Sequence, residues 1–128
     1  MLKPITPKTL RAPFARYSHA MEVAAGSRLI FCSGQLGIAL DETIPEGVGA
    51  QTDLIFNAIE AILAEGGMGL GDIVRLNAYV TAREHMAGYM AVRDRRVMTP
   101  PPASTLMIVT GFTREAFKVE VEAIAAKE

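Results

Sequence analysis

Gln51, Leu54, Ile55, Ala58, Ile59, Ile62 and Leu63 recur at the i, i+3, i+4, i+7, i+8 spacing of one helix face. The stripe runs for roughly four turns and stops at Gly66-Gly67, where a residue without a β-carbon takes up the left-handed cap conformation. A helix with one apolar side needs another element to cover that side. Residues 73–81 supply it. Val74, Leu76, Ala78 and Val80 alternate with Arg75, Asn77, Tyr79 and Thr81, the period-2 pattern of a strand with two distinct faces. The two patterns together restrict the chain to a helix layer on a sheet.

The remaining segments fill in that frame. Residues 1–16 carry three prolines and read as an extended lead-in. Residues 17–24 suit a strand, Ala25-Gly26-Ser27 a tight turn, and residues 28–33 a second short strand, so the three predict a hairpin. Residues 36–48, with Pro45 and Gly47, read as loop. A second helix is expected over 84–97, with Met86, Tyr89, Met90, Arg93 and Val97 on one side and Pro100-Pro101-Pro102 as the stop. Arg93 interrupts that otherwise apolar side. The run 106–109 is continuously apolar and predicts a strand over 103–109 buried on both faces. Residues 117–125 form the last strand. The order is β-β-α-β-α-β-β, an α+β fold with a mixed sheet and two helices packed on one face, in one domain over residues 1–128. The other sheet face stays partly apolar and calls for a second copy as cover.

Composition removes several functions. A net charge of −1 leaves no electrostatic footprint for nucleic acid. The cluster Arg93, Arg95 and Arg96 reads as a solvated helix face or an interface. Cys32, the one cysteine, lies in an apolar run and reads as a small buried hydrophobe. His19 and His85 lack metal-ligand spacing. No stretch approaches the ~18 apolar residues of a membrane span, and the N-terminal segment lacks the apolar core of a signal peptide. The expectation is a soluble cytoplasmic protein with no membrane or nucleic-acid partner.

Several short motifs occur in a fixed order: Tyr17-Ser18-His19-Ala20, Phe31-Cys32-Ser33-Gly34-Gln35, Gln51-Thr52 with Asn57, Pro102-Ala103, and Val119-Glu120-Val121-Glu122-Ala123-Ile124-Ala125. On these the chain resembles the RidA/YjgF family, which is similar in fold to the bacterial chorismate mutase. The resemblance implies a homotrimer with a small-molecule pocket in each inter-subunit cleft. It implies hydrolysis of 2-imino or enamino acids, such as 2-aminoacrylate, to 2-oxo acids and ammonia, with no metal or organic cofactor. It also implies an Arg in a Pro-Ala-Arg motif that clamps the substrate carboxylate, and a Glu on the last strand that positions water.

Carried over residue by residue, Glu120 is the catalytic candidate. Tyr17, Ser33, Ser104, Leu106 and Met86 are the binding candidates. An imine carbon is already electrophilic, so an oriented water beside a carboxylate suffices for attack. Period-2 alternation puts Glu122 on the same strand face as Glu120. Three positions depart from the family pattern. Ser104 stands at the Arg position, Leu106 where a Cys is frequent, and Met86 where many deaminating members have Asn. A hydroxyl in place of a guanidinium fork costs on the order of tenfold or more in binding a carboxylate. Arg16, Arg75 and Arg93 are the candidate cations to replace it. Two readings follow: a deaminase whose substrate has shifted away from small 2-imino acids, or a non-catalytic binding or regulatory trimer using the same cleft.

Overall fold

The structure, a computed structural model, describes residues 2–128. The apolar stripe forms helix α1 (Val48–Glu65). Its buried side is Gln51, Thr52, Ile55, Phe56, Ile59 and Leu63. That stripe is rotated from the expected one: Leu54 and Ala58 are half-buried, and Ile62 reaches the surface. The large ring of Phe56 drives the rotation by claiming the core, while Thr52 turns its hydroxyl back to Val48 O at 2.7 Å and loses its polar cost. At the C-terminus Gly67 takes φ +72°. Its N–H donates to Ala64 O and that of Met68 to Leu63 O, a Schellman cap.

Four strands make the sheet under this helix: β3 (Arg28–Leu36), β4 (Ile73–Val80), β5 (Ala103–Ile108) and β6 (Val119–Lys127), in the order β3-β6-β4-β5. The β4–β5 pair is parallel and the other two pairs are antiparallel. Between β4 and β5 the chain makes a short 3-10 turn at Arg83–His85 and then helix α2 (Met86–Arg96). The core lies between the layers. Leu76, Ala78 and Val80 of β4 and Val119, Val121, Ala123 and Ala125 of β6 meet Ile55, Phe56, Ile59 and Leu63 of α1 and Tyr89 and Val92 of α2.

The predicted N-terminal hairpin is not there. Strand β2 (Ala20–Val23) pairs with β1 (Leu2–Ile5), so part of the supposed lead-in is itself a strand, and β3 takes β6 as its partner. Ala25-Gly26-Ser27 still turns the chain, with Gly26 at φ +82°. The nine-residue β3 runs along the nine-residue β6 from end to end, with one break between Cys32 and Gln35. A second correction concerns β5. It is the edge strand of its sheet, and Met107 and Ile108 are exposed in the protomer, so the apolar run is not buried on both faces.

Gln51 explains its polar place on the buried stripe. Its Nε2 donates to Pro45 O at 2.8 Å and Ala116 O at 2.9 Å, and its Oε1 accepts from the Lys118 N–H at 2.9 Å. One side chain thus ties the loop before α1 to the start of β6. Gly37 lies against it: a β-carbon there would come within 2.5 Å of Gln51 Cβ.

Candidate functional site

The candidate residues fall into two groups on opposite faces of the sheet. Ser104 and Leu106 register with Leu76 and Ala78, whose side chains lie under the helices. Glu120 and Glu122 register with Tyr79 and Asn77, which point to the open face. Within one protomer the sheet itself lies between the two groups.

The first group lines a cleft of about 430 Å³ between α2, the start of β5 and the segment before β2. Tyr17, Met86, Ser104 and Leu106 meet there, with Phe14, Met90 and Arg93. Ser18 fixes this corner. Its N–H donates to Pro102 O at 3.0 Å, its hydroxyl to Pro101 O at 2.6 Å, and it forms a parallel bridge with Ala103. These bonds hold Tyr17 beside Ser104. The Tyr17 ring sits edge-on between Phe14 and His19, with centroids 6.3 and 6.2 Å away. Ser104 Oγ is buried without a hydrogen-bond partner.

Arg93 belongs to this cleft and not to a solvated helix face, because it is only 3% exposed. Its Nε donates to Asp94 Oδ1 at 3.1 Å. Its Nη2 lies 3.0 Å from the same oxygen, an ion-pair contact whose direction does not make a hydrogen bond, so Nη2 remains an unused donor. The guanidinium lies 5.8 Å from the centroid of the Tyr89 ring. Burial pushes the Tyr89 phenol well above its ordinary pKa, the adjacent Arg93 guanidinium pulls it back in part, and the hydroxyl makes no hydrogen bond of good geometry. Arg95 is a surface cation, whereas Arg96 is half-buried over the Phe56 ring; both pair with Asp53. The helical spacing of Tyr89, Met90 and Arg93 carried the signal: an arginine at i+4 from one buried residue shares its side.

The other two cations are engaged elsewhere. Arg16 donates to Thr99 Oγ1 at 2.9 Å and Val97 O at 3.4 Å. Arg75 donates to Asn77 Oδ1 and Thr105 Oγ1.

The second group gathers around Glu120. The β3–β6 ladder breaks between Cys32 and Gln35, which leaves Ser33 and Gly34 as a bulge beside it. A β-carbon on Gly34 would lie 2.8 Å from Glu120 Cδ and Oε2, so only glycine lets the carboxylate rest against the strand. Gln35 donates from Nε2 to Ser33 O at 3.0 Å and braces the bulge. Desolvation first, and the neighbouring Glu122 charge second, hold the Glu120 carboxyl above the usual range. Glu122 is engaged otherwise: Tyr79 donates its hydroxyl to Glu122 Oε1 at 2.6 Å, and that bond raises the phenol pKa. Cys32, on the helix side, is buried, and burial pushes its thiol up. Among the described residues, no group of three or more His, Cys, Asp or Glu side chains is placed to hold a metal ion, and no helix is long and apolar enough to cross a membrane.

Two helices over a mixed sheet, with a small cleft beside the edge strand, define the Rid-type α+β fold. A Rid-family protein from Yersinia pestis superposes with a TM-score of 0.87 over 98% of each chain at 24% identity, a likeness of fold alone. RidA from a Psychrobacter species superposes with a TM-score of 0.73 at 28% identity, over 98% of this chain and 99% of its own. The family profile described as Endoribonuclease L-PSP matches residues 8–127. The chain belongs to this family, the RidA/YjgF family. Among its relatives, DfrA of Myxococcus xanthus is 32% identical over 85% of this chain and 83% of its own length. TdcF of Escherichia coli (strain K12), described as a reactive intermediate deaminase, is 29% identical over 94% of this chain and 95% of its own.

Proposed function

We propose that this protein is a RidA-like hydrolytic deaminase of reactive imines or enamines, working as a homotrimer whose clefts join the two groups of residues across subunits. The observation that carries this reading is Glu120. It is a partly desolvated carboxylate with a raised pKa, seated on the glycine of a strand bulge that also contains Ser33. Relatives such as TdcF support the chemistry. Exposed Leu29 and Phe31 on the face that carries Glu120 support association, because a lone protomer would leave that apolar surface in water.

The steps balance with water alone. Glu120 takes a proton from water as its oxygen bonds to the iminium carbon. The same proton passes to nitrogen, the C–N bond breaks as Glu120 takes the carbinol hydroxyl proton, and that proton leaves with ammonia as ammonium, with a 2-oxo acid left behind. A raised pKa makes the carboxylate a stronger base and keeps it protonated to higher pH once it has taken the proton, the form the second step requires. Ser104 and the apolar lining support a substrate other than the smallest 2-imino acids. The word endoribonuclease in the family description gains no support from a chain of net charge −1.

The test supplies imino acids in situ with an amino-acid oxidase and follows 2-oxo acid formation above the enzyme-free rate. Wild type should accelerate hydrolysis, and Glu120→Gln should lose most of the acceleration, about 10²-fold or more. Equal rates for the two would remove Glu120 from the mechanism. Thermal stabilisation by the 2-oxo acids with no turnover of any imine would return the cleft to binding alone.

A further inference from the structure

We propose that Arg93 is the anion anchor of the edge cleft, and that the ligand is a monocarboxylate with a bulky apolar side chain. The chemistry at the other end of such a ligand rests on the imine-hydrolysis reading; its binding does not.

Arg93 is buried to 3% exposure, and a buried guanidinium is costly unless its donors are used. Its one ionic partner, Asp94, is nearly half exposed, adjacent in sequence, and engages Nε by hydrogen bond while Nη2 stays unused. A buried donor without an acceptor costs about 1–3 kcal/mol, more when charged. Ser104 Oγ, on the same cleft, is the second orphan. A cationic donor and a hydroxyl, both unsatisfied around one cavity, match the two oxygens of a carboxylate. Arg16, whose Nε is also buried without a partner, and Arg75 lie outside this lining, so Arg93 is the cation that borders the cleft.

The rest of the wall sets the other end of the ligand. Phe14, Met86, Met90 and Leu106 offer no charge and few polar atoms. Methionines adapt to irregular apolar shapes. A small 2-imino acid would leave this surface in contact with water, whereas a branched or aromatic side chain would cover it. The cation of this cleft stands on α2, across from Ser104 on β5.

Isothermal titration with 4-methyl-2-oxopentanoate and with its methyl ester tests the assignment without any need for turnover. Wild type should bind the acid about tenfold or more tightly than the ester. Arg93→Met should abolish that preference and leave ester binding within about twofold. Adding Ser104→Arg to Arg93→Met should restore the preference from the neighbouring strand. Arg93→Lys, which keeps the charge in case the Met variant fails to fold, should weaken the acid several-fold and the ester not at all. Equal binding of acid and ester by wild type, no acid binding at millimolar concentration, or a preference that survives loss of the guanidinium overturns the assignment. The oxidase-coupled assay separates the two ideas. Arg93-dependent acid binding without hydrolysis retains the anchor and removes the deaminase; hydrolysis with charge-blind binding does the reverse.

Discussion

Replacing Gly34 with alanine moves the Glu120 carboxylate without removing it. The new methyl carbon would lie 2.8 Å from Glu120 Cδ and Oε2 and 3.0 Å from Cγ. Ordinary carbon contacts are about 3.5–4.0 Å, so the carboxylate must retreat by roughly 1 Å. The clash is with the far end of a flexible side chain, and an off-rotamer Glu120 costs about 0.5–1.5 kcal/mol. Alanine repays about 0.4–1 kcal/mol by restricting the unfolded chain. The net stability change is therefore within about 1 kcal/mol, a shift in Tm of roughly 5 °C or less. A catalytic group misplaced by 1 Å loses about 10²-fold in rate. Gly34→Ala should accordingly fold like wild type and hydrolyse imines about 10–100-fold more slowly. The oxidase-coupled assay reads the rate, and circular dichroism reads the melt. Full turnover at an unchanged Tm would refute the placement of Glu120 at the reacting carbon. A large fall in Tm would refute the claim that the side chain simply yields.

Gln51→Ala strands Pro45 O, Ala116 O and the Lys118 N–H together. It should cost about 3–5 kcal/mol in urea unfolding, and a loss under about 1 kcal/mol would contradict the tie. For Glu120 the raised carboxyl pKa predicts a kcat/KM that falls as pH drops through a value above the ordinary carboxylate range. Glu120→Gln should lack that acid limb. The same raised pKa means the folded chain keeps its proton to higher pH than the unfolded one. Stability is then lost as pH rises between the two pKa values. Glu120→Gln should melt higher than wild type near about pH 8, with the gap closing near about pH 4; a gap that does not change with pH would contradict the shift. Phe31→Glu puts a charge at a position 69% exposed in the protomer. Sedimentation velocity should show a smaller species with wild-type helix content, and an unchanged assembly would place the subunit interface elsewhere.

Long-period signals were legible in the sequence. The α1 stripe and the alternation of β4 each repeat a single geometry over many residues, so both elements sit where they were expected. Pairing was less legible. A tight turn at Gly26 is compatible with a hairpin, but the choice of β1 for β2 and of β6 for β3 is made by partners far away in the chain. The same holds for β5, whose apolar run is compatible with a central strand or with an edge that a second copy covers. At the site, the motif positions Tyr17, Met86, Ser104 and Leu106 do converge on one cleft. Arg93 was visible only as a flaw in an apolar helix side. A charge there reads as solvent-facing until the depth of the helix is known.

On the proposed reading, in which the two residue groups meet across subunits, the working unit is larger than the polypeptide. A chain disabled at Glu120 still carries an intact edge cleft, and a chain disabled at the cleft still carries an intact carboxylate. Two inactive variants, unfolded and refolded together, would form hybrid rings in which about one cleft in four joins two undamaged halves. Activity regained from a mixture of silent proteins is something a self-contained active site can never produce. By the same logic specific activity should fall on dilution, since each protomer that dissociates takes half of two sites with it.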